Sequence, residues 1–435
     1  MSFHVETFDT QGKPGLHALI VGISAYPKLR LPNDPSPLPQ PQETLGLRQV
    51  TSTALTAYKI YQWLKLPGAV PMAAAGAAAM GAAANGAAGA AGNAAAPTAA
   101  ALAMALPLAS IRLLVAPSAI ELEKEPGLAT VASDCTLEDF QLAAKAWRED
   151  ASALKDNFTF FYFAGHGVQR ADANSTILMS NFGNGLGDVL QNAIDVGTLR
   201  YGMRPTDGTR PNMARTQFYF IDACRDLPPD LKELEGRKPS AAFTVDLEPG
   251  EDDRCAPVFY ASVPGSQARA FPGQQTVFSK ALLECLNGAA ADREKKFWIV
   301  NVFTLVAGLR ARVDSLAREL KAKIDYDVDK PGKNAILVRF TTPPTVDLFI
   351  EIDPPEALPV TGVKLVHKSK GTTLVLPGPP VDPHPFTGQL PAGVYNLTWQ
   401  IAPPVLAHPE WVDDAVTVDV SPIKNVVTVP VGGVS

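Results

Sequence analysis

Two short runs constrain this chain more than anything else in its 435 residues. In "NFTFFYFAGHGVQ" (157–169), every residue from Phe158 to Phe163 except Thr159 is aromatic, and the run stops abruptly at Ala164-Gly165-His166-Gly167. In "TQFYFIDACRD" (216–226), a similar run ends on Asp222, Ala223 and Cys224. Neither run has a polar side to offer water, so each fits a strand covered on both faces, as in a parallel sheet flanked by helices. "LHALIVGISAY" (16–26), "SIRLLVAPS" (110–118) and "CAPVFYASV" (255–263) predict further strands of this kind.

Helical patterns fall between the strands. "LGLRQVTSTALTAYKIYQWL" carries apolar residues at helical spacing up to Leu64. Thr136 predicts the cap of a helix in "TLEDFQLAAKAWRED", with Asp139 completing a capping-box pattern. Shorter or longer helices are expected around Asp195 to Tyr201, in 276–286 and in 300–323. Strand–helix alternation of this kind predicts an α/β domain over 1–340, an open, mainly parallel sheet with helices on both faces. The stretch from about 67 to 107 interrupts it with Ala and Gly, as in "AAAGAAAMGAAANGAAGAAGNAAA". Each glycine costs a helix about 1 kcal/mol, and alanine brings little apolar surface, so a mobile insertion is expected rather than a membrane span.

After Thr341-Thr342-Pro343-Pro344 the pattern changes. Short alternating strands, among them "VDLFIEID", "GVYNLTWQI" and "AVTVDVS", are separated by Pro and Gly. They predict an all-β sandwich of immunoglobulin-like type over 345–435. Its histidines, His367, His384 and His408, are expected at the surface and not as a metal site.

Chemistry in an open α/β sheet sits at the carboxyl ends of the strands, and His166 and Cys224 both fall there. A free thiol has a pKa near 8.5 and needs help to ionise at neutral pH. A neighbouring imidazole can take its proton and later return one to a leaving amine. Gly167 offers close backbone approach, and its N–H together with that of Cys224 can face a developing oxyanion. Cys135, Cys255 and Cys285 lack such flanks: one begins a helix cap, one opens a strand and one lies on a helix face. No metal-type spacing joins the four cysteines. With an N-terminus that lacks a signal-peptide pattern, they lead to the expectation of a reducing, cytoplasmic setting. Asp plus Glu number 44 against 38 Lys plus Arg, a net charge of −6. That balance argues against nucleic-acid binding.

"FYFAGHGVQ" taken with "FYFIDACRD" resembles the caspase-like cysteine peptidases, in particular their bacterial and metacaspase branch. The opening "HALIVGISAY" and the later "APVFYASVPGSQARAFPGQQTVFSKALLECL" are similar to further parts of that family. The resemblance spans roughly 16–340 and leaves the sandwich outside. It implies a protein or peptide substrate, His166 as general base and acid, Cys224 as nucleophile, and Gly167 with Cys224 as oxyanion donors. Asp222 matches the acidic position two before the nucleophile in metacaspases, which implies cleavage after Arg or Lys. A second acid in that family comes from an Asn-Asp-Ala stretch opening the first helix. This chain has Ser52 and Thr53 there, and Asp34 is the alternative nearby.

In the loop after the nucleophile, Arg237, Lys238 and Arg254 are candidate self-processing positions. Asp246, Glu248, Glu251, Asp252 and Asp253 form an acidic group that calcium, an activator of several metacaspases, could reach, although their spacing is not that of an EF-hand. No cofactor is expected to be required, no membrane contact is expected, and the sandwich is a candidate surface for a regulatory partner. Bacterial relatives imply a role in signalling or defence. Two rivals remain open: a catalytically silent caspase fold serving as a scaffold, and an acyltransferase or esterase using the same dyad.

Overall fold

A computed structural model describes residues 3–37, 44–65, 102–169, 175–183, 189–206, 208–225, 238–243, 251–266, 268, 270–295, 297–329, 332–369, 371, 373–376, 386–402, 408, 411–423 and 425–431. They fall into two compact units. The first draws on 3–65, 104–283 and 309–336; the second draws on 102–103, 284–308 and 337–431. The division therefore crosses the chain order expected from sequence, since 284–308 groups with the C-terminal part.

The first unit is built on a seven-stranded sheet, in the order His4–Thr7, Leu108–Ala116, Leu16–Ile23, Phe158–Gly165, Thr216–Ala223, Val258–Tyr260 and Asp327–Asp329. The five inner strands run parallel, and the two edge strands are antiparallel. From Thr159 to Gly165 and from Gln217 to Ala223 every residue is buried, which is why these segments carry no polar alternation.

Helices cover both faces. Leu137–Ala151 begins in the expected capping box between Thr136 and Asp139 and lays Trp147 against Phe161 and Tyr219, with ring centroids 6.0 and 6.4 Å apart. Thr53–Lys65 packs on the opposite face, so closely at Gly22 that a Cβ there would lie 2.4 Å from the Cβ of Ala57. The expected helical stretch from Leu45 starts only at Thr53. The reason is local: Ser24 Oγ accepts the Thr53 and Ala54 N–H groups at 3.1 Å each. Glu121, wholly buried, accepts the Leu55 N–H and the Ser24 hydroxyl, each at 2.9 Å. These acceptors satisfy orphan donors of the helix's first turn, and they fix where it begins.

Most of the Ala/Gly-rich stretch lies outside the described residues, which resume at Leu102. Leu102–Met104 forms a strand in a four-stranded sheet with Asp292–Glu294, Phe297–Asn301 and Ile336–Phe340. The strand expected at 255–263 is shorter, Val258–Tyr260; Cys255 makes only an isolated bridge to Thr216. In the second unit, Thr345–Asp353, Phe386–Pro391 and Val426–Pro430 form one sheet. Thr361–His367, Thr373–Leu376, Gly393–Ile401 and Asp414–Val420 form another. His367 is buried there against Tyr395, centroids 4.8 Å apart, and so is not the surface residue expected. Among the described residues, no helix is long and apolar enough to cross a membrane.

The Glu121 carboxylate also accepts the Ser118 N–H and hydroxyl at 2.8 and 2.7 Å, so all its acceptor capacity points at donors. Glu121→Gln would turn an amide NH₂ toward one pair of them. An expected loss of about 2 kcal/mol would show as a lower urea midpoint at unchanged slope.

Candidate active site

The strands Phe158–Gly165 and Thr216–Ala223 pair in register from Phe158 opposite Thr216 to Gly165 opposite Ala223. His166 and Cys224 are the next residue on each chain. Parallel neighbours lie about 4.8 Å apart, and residues at one register leave the sheet on the same side. The backbone thus delivers both residues together at the carboxyl edge. Gly167 stays close as well: a Cβ there would sit 2.7 Å from the Cys224 carbonyl oxygen and 2.8 Å from Ala223 Cβ. Any side chain at 167 would force the two strand ends apart. Cys224 is half-buried, whereas the other three cysteines are buried. Burial raises the Cys135 thiol well above its ordinary range and pushes that of Cys255 up to about 11. Cys135 also meets Ser133 Oγ, and the Cys255 thiol donates to the Lys333 carbonyl.

His166 is almost enclosed, 8% exposed, with Nε2 2.6 Å from the carbonyl oxygen of Arg48. A carbonyl only accepts, so Nε2 carries the proton and Nδ1 is left with its lone pair. Burial pulls the imidazole down to a pKa of about 4, against the opposing pull of the Arg48 carbonyl, so the ring is neutral at pH 7. Arg48 is itself held: its guanidinium donates to the carbonyls of Leu31 and Asp34 at 3.1 and 2.7 Å, and its backbone bridges to Arg30. Sequence reading missed this role because the contributing atom is a main-chain oxygen, which leaves no residue-type signal.

Asp222 is 2% exposed. Its Oδ2 accepts the Tyr162 hydroxyl at 2.7 Å and the Thr276 hydroxyl, while Oδ1 is buried without a hydrogen-bond partner. Burial raises its pKa to about 6, with the two hydroxyls pulling the other way. The Thr276 N–H in turn donates to Thr56 Oγ1 at 3.1 Å, joining this carboxylate to the first helix. The alternatives for a second acid are occupied elsewhere. Ser52 offers its carbonyl to Thr56, and the Thr53 hydroxyl donates to the Ile23 carbonyl. The Asp34 carboxylate accepts from the Ser36 N–H and faces Arg30.

Of the loop positions, Lys238 is exposed, and Arg237, Asp246 and Glu248 lie outside the described residues. Arg254 is buried: its guanidinium grips Asp252 at 2.7 and 3.0 Å and reaches the Arg200 carbonyl and Gln217. Cleavage after Arg254 would require this network to open. Arg254 also draws the Asp252 carboxyl down to a pKa of about 2, and Asp253 pairs with Arg215 at 2.5 Å, while Glu251 is exposed. Among the described residues, no three His, Cys, Asp or Glu side chains group as metal ligands.

Residues 119–323 match the family model of the caspase domain, Peptidase C14. Over that stretch the chain is similar to the caspase domain of this cysteine peptidase family, and the mainly parallel α/β sheet described above is consistent with such a domain. No curated protein matches it. Among solved structures, protein GSU0716 from Geobacter sulfurreducens is similar at 11% identity and a TM-score of 0.35, over 73% of this chain and 93% of its own.

Asp222 gives a stability prediction with a definite sign. Its folded pKa, about 6, lies above the ordinary 3.8, so the folded state favours the protonated form, and its stabilising contribution disappears as pH rises through 6. Asp222→Asn removes the buried charge. It is expected to stabilise the protein by up to about 3 kcal/mol at pH 8, since a tenfold change in proton affinity is worth about 1.4 kcal/mol, and by little at pH 3.5. Urea unfolding at the two pH values measures this.

Proposed function

We propose that the protein is a cysteine endopeptidase in which Cys224 attacks and His166 moves the proton. The observation that carries this reading is the strand register, which places both residues immediately beyond the pair Gly165 and Ala223. The thiol of Cys224 gives its proton to Nδ1 of His166, and the sulfur adds to the scissile carbonyl carbon. The imidazolium then protonates the departing amine, leaving a thioester on Cys224. Water hydrolyses that thioester, with His166 again taking and returning a proton. The Arg48 carbonyl suits this cycle, because it fixes the tautomer that frees Nδ1 and stabilises the positive ring in between.

The Gly167 N–H is a reasonable oxyanion donor for a geometric reason. Leu178 N–H donates to the His166 carbonyl, so His166 and Leu178 form the hydrogen-bonded pair of the short antiparallel ladder. The next residue, Gly167, therefore turns its N–H away from that partner strand. The Cys224 N–H completes the pair of donors in this reading. Losing one such donor typically costs about 2.7–4 kcal/mol of transition-state stabilisation.

Asp222 supports cleavage after Arg or Lys. A guanidinium or ammonium group would give Oδ1 the partner that it lacks. Oδ1 is buried, so a basic side chain would have to displace the groups that cover it.

Wild type and Cys224→Ala should be offered peptides ending in Arg, Lys or Asp before a fluorescent leaving group, with and without calcium. Expected is cleavage by the wild type alone, with Arg or Lys favoured at least about 10-fold over Asp, a difference of 1.4 kcal/mol. Silence with every peptide, together with no labelling of Cys224 by a thiol-reactive peptide probe, would sink the peptidase reading in favour of a scaffold. The KM for the basic peptide should rise as pH falls through about 6, where Asp222 takes up its proton. In Asp222→Asn both this pH dependence and the basic preference should disappear.

A further inference from the structure

Tyr26 ends the first apolar run and lies wholly buried beside the site. Its surroundings show an irregularity in the ladder at His166. The strands Gly167–Gln169 and Ser175–Leu178 are antiparallel, with Gly167 opposite Ile177, so His166 continues the ladder opposite Leu178. The Leu178 N–H donates to the His166 carbonyl at 3.0 Å. In an antiparallel ladder such a pair exchanges both bonds, and here the second is replaced. The Tyr26 hydroxyl accepts the His166 N–H at 2.8 Å and donates to the Leu178 carbonyl at 3.3 Å. A side-chain oxygen stands where His166 would otherwise bond Leu178 directly.

A second observation concerns Gly165. A Cβ at that position would lie 2.8 Å from the Tyr26 hydroxyl oxygen and 2.8 Å from Cζ of Phe163. Only a residue without a side chain leaves room for the phenol to reach over the strand end. The Tyr26 ring also lies against the His166 imidazole, centroids 4.9 Å apart at 51°. Burial keeps the phenol protonated far above neutral pH, so it remains a donor to Leu178.

We infer that Tyr26 is a positioning residue for His166, its hydroxyl wedged into the ladder between His166 N–H and Leu178 C=O, and that Gly165 is glycine to admit it. The wedge stops His166 from closing onto Leu178 and holds its backbone where the ring meets the Arg48 carbonyl. The inference rests on the reading of His166 as the catalytic base. Misplacement of a catalytic group by about 1 Å can cost on the order of 100-fold in rate, so a missing hydroxyl should be visible in turnover.

Tyr26→Phe keeps the ring and its packing and removes only the wedge. Gly165→Ala keeps the hydroxyl but displaces it. Both variants and the double variant should be compared with wild type for kcat and KM on the preferred peptide. Thermal unfolding would establish that each is folded, and ¹⁵N-histidine spectra, with only six histidines to resolve, would follow the His166 ring. Each single substitution is expected to lower kcat about 10- to 100-fold with KM within twofold. The double variant should be no worse than the worse single one, because both act through one oxygen. The Nε2–H signal of His166 should shift in Tyr26→Phe. A folded Tyr26→Phe with unchanged kcat and an unmoved ring signal would overturn the inference, as would additive losses in the double variant. A wild type that cleaves nothing counts against the peptidase reading alone. The His166 signal in Tyr26→Phe then decides the role of Tyr26 by itself.

Discussion

The parallel pairing of Phe158–Gly165 with Thr216–Ala223 is the constraint on which the site depends. A slip of one residue would turn one strand's side chains to the other face, and His166 and Cys224 would no longer leave the sheet on the same side. The aromatic residues resist that slip. Phe160 meets Phe220 with centroids 5.0 Å apart, Phe161 meets Tyr219 at 6.1 Å, and Phe158 meets Phe218 at 6.4 Å. Each such pair contributes roughly 0.5–1.5 kcal/mol beyond the area it buries, and a shifted register would break all of them together. The run that looked merely hydrophobic is therefore also the alignment device for two polar residues at its end.

At the strand ends the protein keeps polar groups in unfavourable surroundings. The neutral imidazole and the half-satisfied Asp222 carboxylate both sit where water would solvate them better. The ionic network of Arg254, Asp252, Arg200 and Gln217 shows the opposite treatment, with donors matched to acceptors. An unsatisfied buried oxygen costs about 1–3 kcal/mol. Its place two residues before the proposed nucleophile is where a substrate could recover that cost.

Much of this was legible in sequence because burial leaves a compositional trace. The two aromatic runs, the capping box at Thr136 and the change to alternating strands after Pro344 are all patterns of residue type. The parallel sheet and the placement of His166 beside Cys224 follow from them. Other parts of the site left no such trace. Arg48 contributes a carbonyl, which every residue possesses. Tyr26 acts through a hydroxyl that bridges a ladder, and its spacing from His166 along the chain carries no information. Glu121 carries no signal in the sequence, since two of its partners, at 24 and 55, are far from it along the chain. His367 misled for a related reason: an isolated histidine in a strand reads as exposed unless its buried ring partner, Tyr395, is known.

Glu121 also bears on the order in which structure can assemble. The first turn of the Thr53–Lys65 helix is completed by a hydroxyl from Ser24 and a carboxylate 66 residues further along the chain. A cap borrowed over such a distance is unavailable to the isolated segment, so the helix start is a product of chain closure and not a seed for it. Amide exchange at Leu55 should accordingly keep time with the turn around Ser118, two places joined by one buried carboxylate.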